Sequence, residues 1–345
     1  MYHIEQEINA QPAIIQNLLE THTELAQHIA RSIHAFDPAF VLVAARGTSD
    51  NAARYAQYVL AIQAGLPVGL ATPSVHTLYH AAPNLKRSLV IGISQSGRSE
   101  DVRRVVEDAK RQGGLTLGIT NDADSPLAHT ADYHIPLDCG EERSVAATKT
   151  YTAELSAIAL LTAALTDKPE LHADLAQLPA AIQQTIDYSA TIPDWVQRYR
   201  YAERIASIGR GYNHCTAYEI SLKIKELCYI TGEEYSEADF RHGPIAVINP
   251  GFPVLVVAPQ GQPLPLLIDL IEKLNDKGAE CLVISNDSQV QSLARYALPM
   301  PSDVPEWLSP ICAVIPGQVF AMHLALTKGY AVDTPRGLQK VTVTL

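Results

Sequence analysis

The chain is poor in positive charge. Among its 345 residues, 26 are Lys or Arg and 37 are Asp or Glu, which gives a formal net charge of −11. A chain this acidic repels the phosphate backbones of DNA and RNA, so the charge balance argues against a nucleic-acid partner. Any anionic ligand must therefore be held by local hydrogen-bond donors.

Cysteine is scarce and scattered. The five cysteines include no C-x-x-C pair, which argues against a disulfide framework and against a zinc site. Free, dispersed cysteines are typical of a protein in a reducing compartment, so we expect a cytoplasmic location.

Targeting and membrane-spanning segments are not apparent. The first residues are polar and carry early acidic side chains, unlike a signal or transit peptide. No run of about 18 apolar residues stands out. The longest apolar stretch, near residues 155–165, is interrupted by Ser and Thr and is typical of a buried helix. We expect no membrane partner.

The common nucleotide-binding motifs are also missing. No G-x-x-x-x-G-K-[ST] segment occurs, and Gly209-Arg210-Gly211 continues to His214 without a third glycine. These absences argue against a Walker-type site and against a dinucleotide fingerprint.

Strand-like and helix-like segments alternate along the chain. Predicted strands lie at residues 40–45, 88–93, 115–120, 133–137, 204–208, 253–258 and 280–285. Helical spacing covers residues 10–35, 51–64, 102–109, 216–229 and 266–277. This alternation predicts an α/β protein whose parallel sheets carry helices on both faces, as in flavodoxin-like or Rossmann-like three-layer sandwiches.

Short matches recur at a nearly constant distance. Arg46-Gly47 returns 164 positions later as Arg210-Gly211, and Asn121-Asp122 returns 165 positions later as Asn286-Asp287. The common spacing predicts two copies of one domain. We expect a helical segment at residues 1–35, a first domain at 36–170, a helical connector at 171–195, a second domain at 196–333 and a tail at 334–345.

Residues 94–99, here called the serine loop, lie between a predicted strand and a predicted helix. The sequence is Ser94-Gln95-Ser96-Gly97-Arg98-Ser99. Backbone N–H groups at the start of a helix bind phosphate without a lysine. The alternative is an ordinary serine-rich turn in which Ser99 caps the helix. The second copy has Pro259-Gln260-Gly261-Gln262-Pro263 here, so we expect any phosphate to bind the first copy.

A second polar turn, Gly47-Thr48-Ser49, also follows a predicted strand. Ligands of open α/β sheets bind at the carboxyl ends of the strands, so this turn can face the same crevice. Taken alone, it is better explained by Thr48 or Ser49 capping the next helix.

Glu219, Lys223 and Glu226 share one face of a predicted helix, because their spacing is i, i+4 and i+7. The spacing alone favours a solvated ridge of ion pairs. The alternative is a carboxylate that transfers protons beside a lysine that tunes it.

Three further segments carry reactive side chains, but each also has an ordinary structural interpretation. Arg241-His242-Gly243-Pro244 is a turn whose imidazole could act as a general acid near neutral pH. Residues 142–149 are typical of a helix-capping segment unless a ligand reaches them. Arg336 and Lys340 lie near the end of the chain, where a solvated tail is the default interpretation.

Taken together, these segments resemble the sugar isomerase (SIS) fold, and more closely the isomerase half of glucosamine-6-phosphate synthase. The resemblance runs from about residue 10 to residue 345 and implies two tandem SIS domains. The matching pieces, in chain order, are Arg46-Gly47-Thr48-Ser49, Ile93-Ser94-Gln95-Ser96-Gly97, Ser144-Val145-Ala146-Ala147-Thr148-Lys149, Gly209-Arg210-Gly211, residues 219–226, Arg241-His242-Gly243-Pro244 and residues 336–343.

The resemblance implies which residues would bind a hexose or hexosamine 6-phosphate. The phosphate would be held by Thr48, Ser49, Ser94, Gln95, Ser96 and Ser99. The sugar would be lined by Glu142, Val145, Ala146 and Ala147, and Arg336 would help to anchor the tail over the site.

It also implies the catalytic residues. Glu226 would move a proton between C1 and C2, and Lys223 would assist near the reacting hydroxyl or amine. His242 would open the sugar ring, reaching over from the other subunit of a homodimer. Lys340 would contact the open-chain carbonyl and could form an imine. No metal or cofactor is expected, because a carboxylate and an imidazole can supply the acid–base steps.

Two departures from the synthase pattern guide the functional prediction. The chain enters the isomerase part almost at once, so we expect no glutaminase domain. The sugar-side serine of the family is Ala147 here. Both departures favour a resemblance to the SIS-type glucosamine-6-phosphate deaminases, which would yield fructose 6-phosphate and ammonia.

Three alternatives stay open. One is an isomerase like that of the synthase, related to glutamine–fructose-6-phosphate aminotransferase. Another is a fructosamine-6-phosphate deglycase, which would use the same acid–base residues on a different substituent. The third, of another class, is a non-catalytic phosphosugar sensor.

Overall fold

The computed structural model describes residues 1–166 and 168–340. They form two compact units, each built around one sheet. The N-repeat unit comprises Ala13–Glu142, Lys149–Ala176 and the residues from Gln339 onward. The C-repeat unit comprises Met1–Pro12, Arg143–Thr148 and Gln177–Leu338. The Val341–Val343 part of the predicted tail motif lies outside the described residues.

The N-repeat unit contains a parallel sheet of five described strands. In chain order they are β1 (Phe40–Ala44), β2 (Val68–Leu70), β3 (Ser88–Ile93), β4 (Leu115–Thr120) and β5 (Tyr133–Pro136). Their order in the sheet is β2-β1-β3-β4-β5, and each pair is parallel. This is the flavodoxin-like order, in which the connections that follow β1 and β3 run in opposite directions along the sheet. Sheets of this kind bind ligands outside the carboxyl ends of those two strands.

The C-repeat unit repeats this topology. Its described strands are β6 (Arg204–Gly209), β7 (Thr231–Ser236), β8 (Pro253–Val257), β9 (Glu280–Ser285) and β10 (Tyr296–Pro299). Their order, β10-β9-β8-β6-β7, is that of the first sheet with every strand replaced by its counterpart. The predicted α/β class and the two parallel-sheet repeats are therefore confirmed.

Helices connect and cover the strands. Those of the first half are α1 (His3–Phe36), α2 (Thr48–Ala64), α3 (Pro73–Thr77), α4 (Glu100–Gln112), α5 (Pro126–Thr130), α6 (Lys149–Thr166) and α7 (Pro169–Ser189). Those of the second half are α8 (Ile192–Trp195), α9 (His214–Cys228), α10 (Glu237–Arg241), α11 (Leu264–Asp276), α12 (Ser288–Gln291) and α13 (Ser309–Thr327).

Burial on both faces explains the composition of the central strands. Every residue of β3 and of β8 is buried, so these strands are continuous apolar runs rather than alternating ones. The strands predicted at residues 88–93 and 253–258 agree closely with the observed bounds of β3 and β8. The short or polar strands β2, β7 and β10 are not predicted, because their sequences lack a continuous β-branched run.

Residues 155–165 lie in α6 and are almost all buried, so the predicted buried helix is confirmed. Among the described helices, α13 is the most apolar. By length and composition α13 could cross a membrane, yet most of it is buried inside the structure. It packs closely on α9, where a side chain added at Gly317 would lie 2.3 Å from Cγ1 of Ile220. This packing fixes the position of α9, which carries Glu226.

Candidate active site

The serine loop follows β3 and leads into α4. Ser94 is buried, and its hydroxyl lies 3.2 Å from that of Ser99. The N–H of Gly97 donates to the carbonyl of Ser94 at 3.0 Å, which closes the turn. The two hydroxyls therefore meet at the carboxyl end of a central strand, where open α/β sheets bind ligands.

Gly97 is required by the shape of this turn. Its φ angle is 62°, and a Cβ atom added there would lie 2.1 Å from Oγ of Ser125. A side chain at this position would therefore meet both backbone strain and a direct clash. The loop can pass this close to Ser125 only with glycine.

The alternative of an ordinary N-cap does not describe Ser99. It occupies the N-cap position of α4, but its side chain makes no capping hydrogen bond. The hydroxyl faces Ser94 instead. In the first turn of α4 it is Asp101 that accepts a backbone bond, from the N–H of Val102 at 2.9 Å.

The turn after β1 differs from its predicted role as a helix cap. Gly47, with φ of 56°, occupies the N-cap of α2, so the prediction that Thr48 or Ser49 caps this helix is wrong. Thr48 is its first residue, and the hydroxyl of buried Ser49 donates to Oε1 of Glu154 at 2.7 Å. Glu154 on α6 thus orients Ser49, a partner that no local sequence signal indicates.

Arg46 adds a cation beside this turn. Its Nε donates to Oδ2 of Asp101 at 2.6 Å, and Asp101 is fully buried in the first turn of α4. This ion pair ties the end of β1 to the helix that follows the serine loop. No local pattern in the sequence indicates this pair, because the two residues are 55 positions apart.

Lys340 also belongs to the N-repeat unit. Its Nζ donates to Oε2 of Glu142 at 2.6 Å. The Glu142 carboxylate is fully buried and accepts two bonds from Thr150, at 3.1 Å from the backbone N–H and 2.8 Å from the hydroxyl. Lys340 is thus held by a fixed, buried carboxylate while its side chain remains 25% exposed.

In the C-repeat unit, helix α9 presents the three charged residues predicted to share a face. Nζ of Lys223 lies 2.6 Å from Oε2 of Glu226 and 3.3 Å from Oε1 of Glu219. Lys223 and Glu219 are buried, whereas the Glu226 side chain is 22% exposed. The solvated ridge favoured by the spacing is therefore wrong, because two of the three charges lie in the core.

Burial of this trio acts strongly on Lys223. Burial alone would lower the pKa of its ammonium, but Glu219 and Glu226 more than offset that penalty and hold the pKa above its ordinary value. Lys223 is therefore a cation throughout the neutral range. Its bond to the more exposed Glu226 orients that carboxylate.

The predicted sugar-lining residues Val145, Ala146 and Ala147 lie in a loop, Arg143–Thr148, that is tied to distant parts of the C-repeat unit. The Glu7 carboxylate on α1 accepts bonds from the backbone and the hydroxyl of Ser144. The N–H of Val145 donates to the carbonyl of Asp333 at 3.1 Å. These anchors are more than 130 residues away in the chain, so the sequence does not reveal them.

His242 and Arg336 occupy different settings. His242 is exposed, just after α10, and its N–H donates to the carbonyl of Asp239 at 3.1 Å. The Arg336 guanidinium lies 4.1 Å from the ring centre of Tyr229, and its backbone N–H donates to the Tyr229 hydroxyl at 2.8 Å. Tyr229 is a partner that sequence analysis did not single out.

The turn of the second repeat that corresponds to the serine loop contacts a carboxylate of its own chain. The N–H of Gln262 donates to Oε2 of Glu306 at 2.9 Å. A side chain at Gly261 would lie 2.3 Å from Cδ of Glu306. In this turn, one backbone N–H already has a carboxylate of the same chain as its acceptor.

Each unit thus groups part of the predicted site. The N-repeat unit carries the two strand-end turns with Thr48, Ser49, Ser94, Gln95, Ser96 and Ser99, together with Glu142 and Lys340. The C-repeat unit carries Val145, Ala146, Ala147, Lys223, Glu226, His242 and Arg336. Within the described residues, no group of three or more His, Cys, Asp or Glu side chains could hold a metal ion.

These features define a class of protein: a tandem α/β repeat with a hydroxyl-lined turn in one copy and a buried acid–lysine–acid helix in the other. Comparison with known families makes the assignment specific. The SIS domain family matches residues 38–164 and 199–328, and the chain belongs to this family. The predicted resemblance is therefore confirmed.

Known proteins agree with this assignment. Glutamine–fructose-6-phosphate aminotransferase [isomerizing] of Pyrococcus horikoshii is 31% identical over 344 residues, which cover 98% of this chain and 57% of that protein. The chain thus spans little more than half the length of the curated relatives it matches.

Two solved structures share the fold. The C-terminal domain of glucosamine-fructose-6-phosphate aminotransferase from Francisella tularensis has a TM-score of 0.88 at 24% identity, covering 97% of this chain and 98% of its own. Glucosamine-6-phosphate deaminase from Thermotoga maritima has a TM-score of 0.79 at 20% identity, covering 99% of this chain and 100% of its own.

Proposed function

We propose that the protein is a phosphosugar enzyme, an aminosugar-6-phosphate deaminase and aldose–ketose isomerase. The observation that carries the proposal is the Glu219–Lys223–Glu226 trio of α9, where a buried ammonium orients a partly exposed carboxylate. A charge set this costly to bury is favoured where it does chemistry. The serine loop supports the same proposal, since it offers hydroxyl and backbone donors to a phosphate.

In the proposed reaction, the phosphate contributes remote binding energy that orients the reacting carbons. His242 donates and accepts protons during ring opening, which exposes an aldehyde at C1. The Glu226 carboxylate then removes the C2 proton and returns it to C1 through an enolamine. Water adds to the resulting C2 imine, and ammonia leaves, so that glucosamine 6-phosphate and water give fructose 6-phosphate and ammonia.

Lys340 has a role in this proposal at the sugar carbonyl. An amine must be neutral to attack a carbonyl, whereas the Lys340 ammonium is paired with Glu142 at 2.6 Å. Glu142 is the carboxylate in place to take that proton. Imine formation at Lys340 would then proceed with loss of water, and the imine would be hydrolysed before product leaves.

The proposal is tested by a coupled assay for ammonia and fructose 6-phosphate on a panel of hexosamine 6-phosphates. Glu226→Gln is expected to lower turnover by at least about 100-fold, because general-base catalysis typically contributes that much, while phosphosugar affinity is retained. Lys225→Met, on the same helix but paired with Glu234, is the control that should keep its activity. Absence of turnover on every sugar, in protein that still binds phosphosugar, would exclude the deaminase.

A second candidate is favoured by the 31% identity to an isomerizing aminotransferase. It is the reverse-direction isomerase, which would combine fructose 6-phosphate with ammonia to give glucosamine 6-phosphate. Measuring both directions with free ammonia, each at saturating substrate, separates the two. A rate of glucosamine 6-phosphate deamination far below the rate of its synthesis from fructose 6-phosphate and ammonia would favour the isomerase.

We further propose that the enzyme is a cytoplasmic homodimer whose His242 serves the partner's substrate. The exposed position of His242 supports this. Mixing the inactive variants His242→Ala and Glu226→Gln under subunit exchange should restore up to about a quarter of the sites, whereas neither variant alone is active. If mixing restores no activity although mixed dimers form, His242 acts within its own chain.

A further inference from the structure

Tyr229 is the residue that follows the last turn of α9, three positions after Glu226. Its φ angle is 56°, a left-handed conformation that residues other than glycine seldom adopt. Such a conformation persists where surrounding contacts hold the residue in place. The side chain of Tyr229 makes contacts of this kind.

Two contacts join Tyr229 to the C-terminal tail. The guanidinium of Arg336 lies 4.1 Å from the ring centre, well within the range of a cation–π interaction. The backbone N–H of Arg336 donates to the Tyr229 hydroxyl at 2.8 Å. On the tail side, Tyr330 packs against the same ring at 4.7 Å between centroids. One aromatic side chain thus holds both the side chain and the backbone of Arg336.

The tail is pinned a second time three residues earlier. The Asp333 carboxylate accepts bonds from the N–H groups of His3 and Ile4 at 3.0 and 2.9 Å, and its carbonyl accepts from Val145 at 3.1 Å. The segment between Asp333 and Arg336 is therefore held at both ends within the C-repeat unit. Lys340 follows Arg336 by four residues, a reach of at most about 14 Å for extended chain.

We propose that Tyr229 is a positioning residue, a latch that holds the tail at Arg336 and thereby limits where Lys340 can lie. The inference rests on the proposed function for the role of Lys340, but the latch itself is a physical property of the tail. Releasing Arg336 leaves the bond between Lys340 and Glu142 without the support of an anchored tail. Lys340 then samples more positions, so fewer substrate molecules meet its amine in a reactive geometry.

The first test separates turnover from binding. Tyr229→Leu removes the ring and the hydroxyl, and it is expected to lower kcat roughly tenfold or more, the combined effect expected of a cation–π contact and a hydrogen bond. Tyr229→Phe keeps the ring, and its kcat should lie between that of Tyr229→Leu and that of the native protein. KM should change by less than about threefold, because the serine loop is untouched.

The matched control is Tyr201→Leu. Tyr201 is 86% exposed and also carries an arginine, Arg200, at 5.8 Å from its ring centre. The substitution Tyr201→Leu should leave kcat unchanged. If Tyr229→Leu and Tyr201→Leu have the same kcat in folded protein, Tyr229 does not position the tail.

The second test reads the tail directly, with no need for activity. Trypsin can cut after Arg336, and mass spectrometry detects the released peptides 337–345 and, after a further cut at Lys340, 337–340. The cut after Arg336 should be about tenfold faster in Tyr229→Leu than in the native protein and in Tyr201→Leu, while cuts before residue 330 keep their rates. Equal rates after Arg336 would overturn the latch.

The two tests distinguish the proposals. If the native protein has no activity on any phosphosugar, the proposed function is excluded. If the cut after Arg336 is nevertheless faster in Tyr229→Leu, the latch is still supported. Borohydride trapping of a Lys340 adduct with fructose 6-phosphate in the native protein, reduced in Tyr229→Leu, would support both.

Discussion

At the scale of single residues, the serine loop depends on one glycine more than on its serines. Ser94 and Ser99 face each other only because the backbone between them turns through a left-handed Gly97 packed against Ser125. A hydroxyl can be replaced by another donor, whereas a Cβ at position 97 has no space. Glycine here is a condition for the loop geometry.

Gly97→Ala is therefore expected to lose phosphosugar affinity by tenfold or more, as roughly expected when a binding loop is displaced by about an ångström. The matched control is Gly65→Ala, where φ is 68° but nothing lies within 4 Å of the added Cβ. Gly65→Ala should lose about 1 kcal/mol of stability from the left-handed backbone, and Gly97→Ala should lose about 1–3 kcal/mol more, because its Cβ also clashes with Ser125. Only Gly97→Ala should lose binding, measured by calorimetry with glucosamine 6-phosphate. Equal affinities in the two variants would contradict the role of the clash.

At the scale of elements, helix α9 shows what spacing does and does not reveal. The i, i+4, i+7 pattern correctly predicts that Glu219, Lys223 and Glu226 share a face. It does not reveal that the face is buried, because α13 covers the helix from a segment about 100 residues later. Gly317 on α13 allows this close approach to Ile220.

Removing the buried cation should be costly. Lys223→Met leaves the Glu219 carboxylate in the core without its ammonium, and we expect a loss of about 3–5 kcal/mol in the free energy of unfolding. Adding Glu219→Gln should recover part of that loss. Lys225→Met, whose lysine is 39% exposed and paired with Glu234, should cost less than about 1 kcal/mol. Urea unfolding compares the four proteins. Equal losses at positions 223 and 225 would contradict the burial argument.

At the scale of the whole molecule, the repeat offset near 164 predicts two copies of one domain, and the sheets confirm it with the same strand order. The continuous apolar strands are readable from the sequence because burial on both faces removes alternation. Strands β2 and β7 lie at sheet edges. Their sequences are short or polar and give no such signal.

Stability should fall at alkaline pH through buried thiols. Burial raises the pKa of Cys228, Cys281 and Cys312 to about 12 and that of Cys139 further still. In the unfolded chain these thiols ionise near pH 8.5. Below that pH the thiols are protonated in both states, and their contribution to the free energy of unfolding is fully present. Above that pH the unfolded state loses protons that the folded state keeps, so the free energy of unfolding declines as pH rises.

A pH of 9.5 is one unit above the ordinary thiol pKa. At that pH each of these thiols should lower the free energy of unfolding by about 1.4 kcal/mol relative to neutral pH. Urea midpoints at pH 7.5 and 9.5 measure the decline. Cys281→Ala should lower stability at pH 7.5 and reduce the difference between the two pH values, because one titrating thiol is gone. An unchanged difference would show that this thiol does not contribute.

The sequence by itself determined the α/β class, the duplication and the family, because these follow from periodicity, spacing and ordered motifs along the chain. It also marked the side chains that carry the proposed chemistry. Only the tertiary structure decided their environments: the burial of Lys223, the pairing of Lys340 with Glu142, and the contact between Tyr229 and Arg336. The physical reason is that each environment is made by residues distant in sequence, whose approach depends on packing that no local pattern encodes.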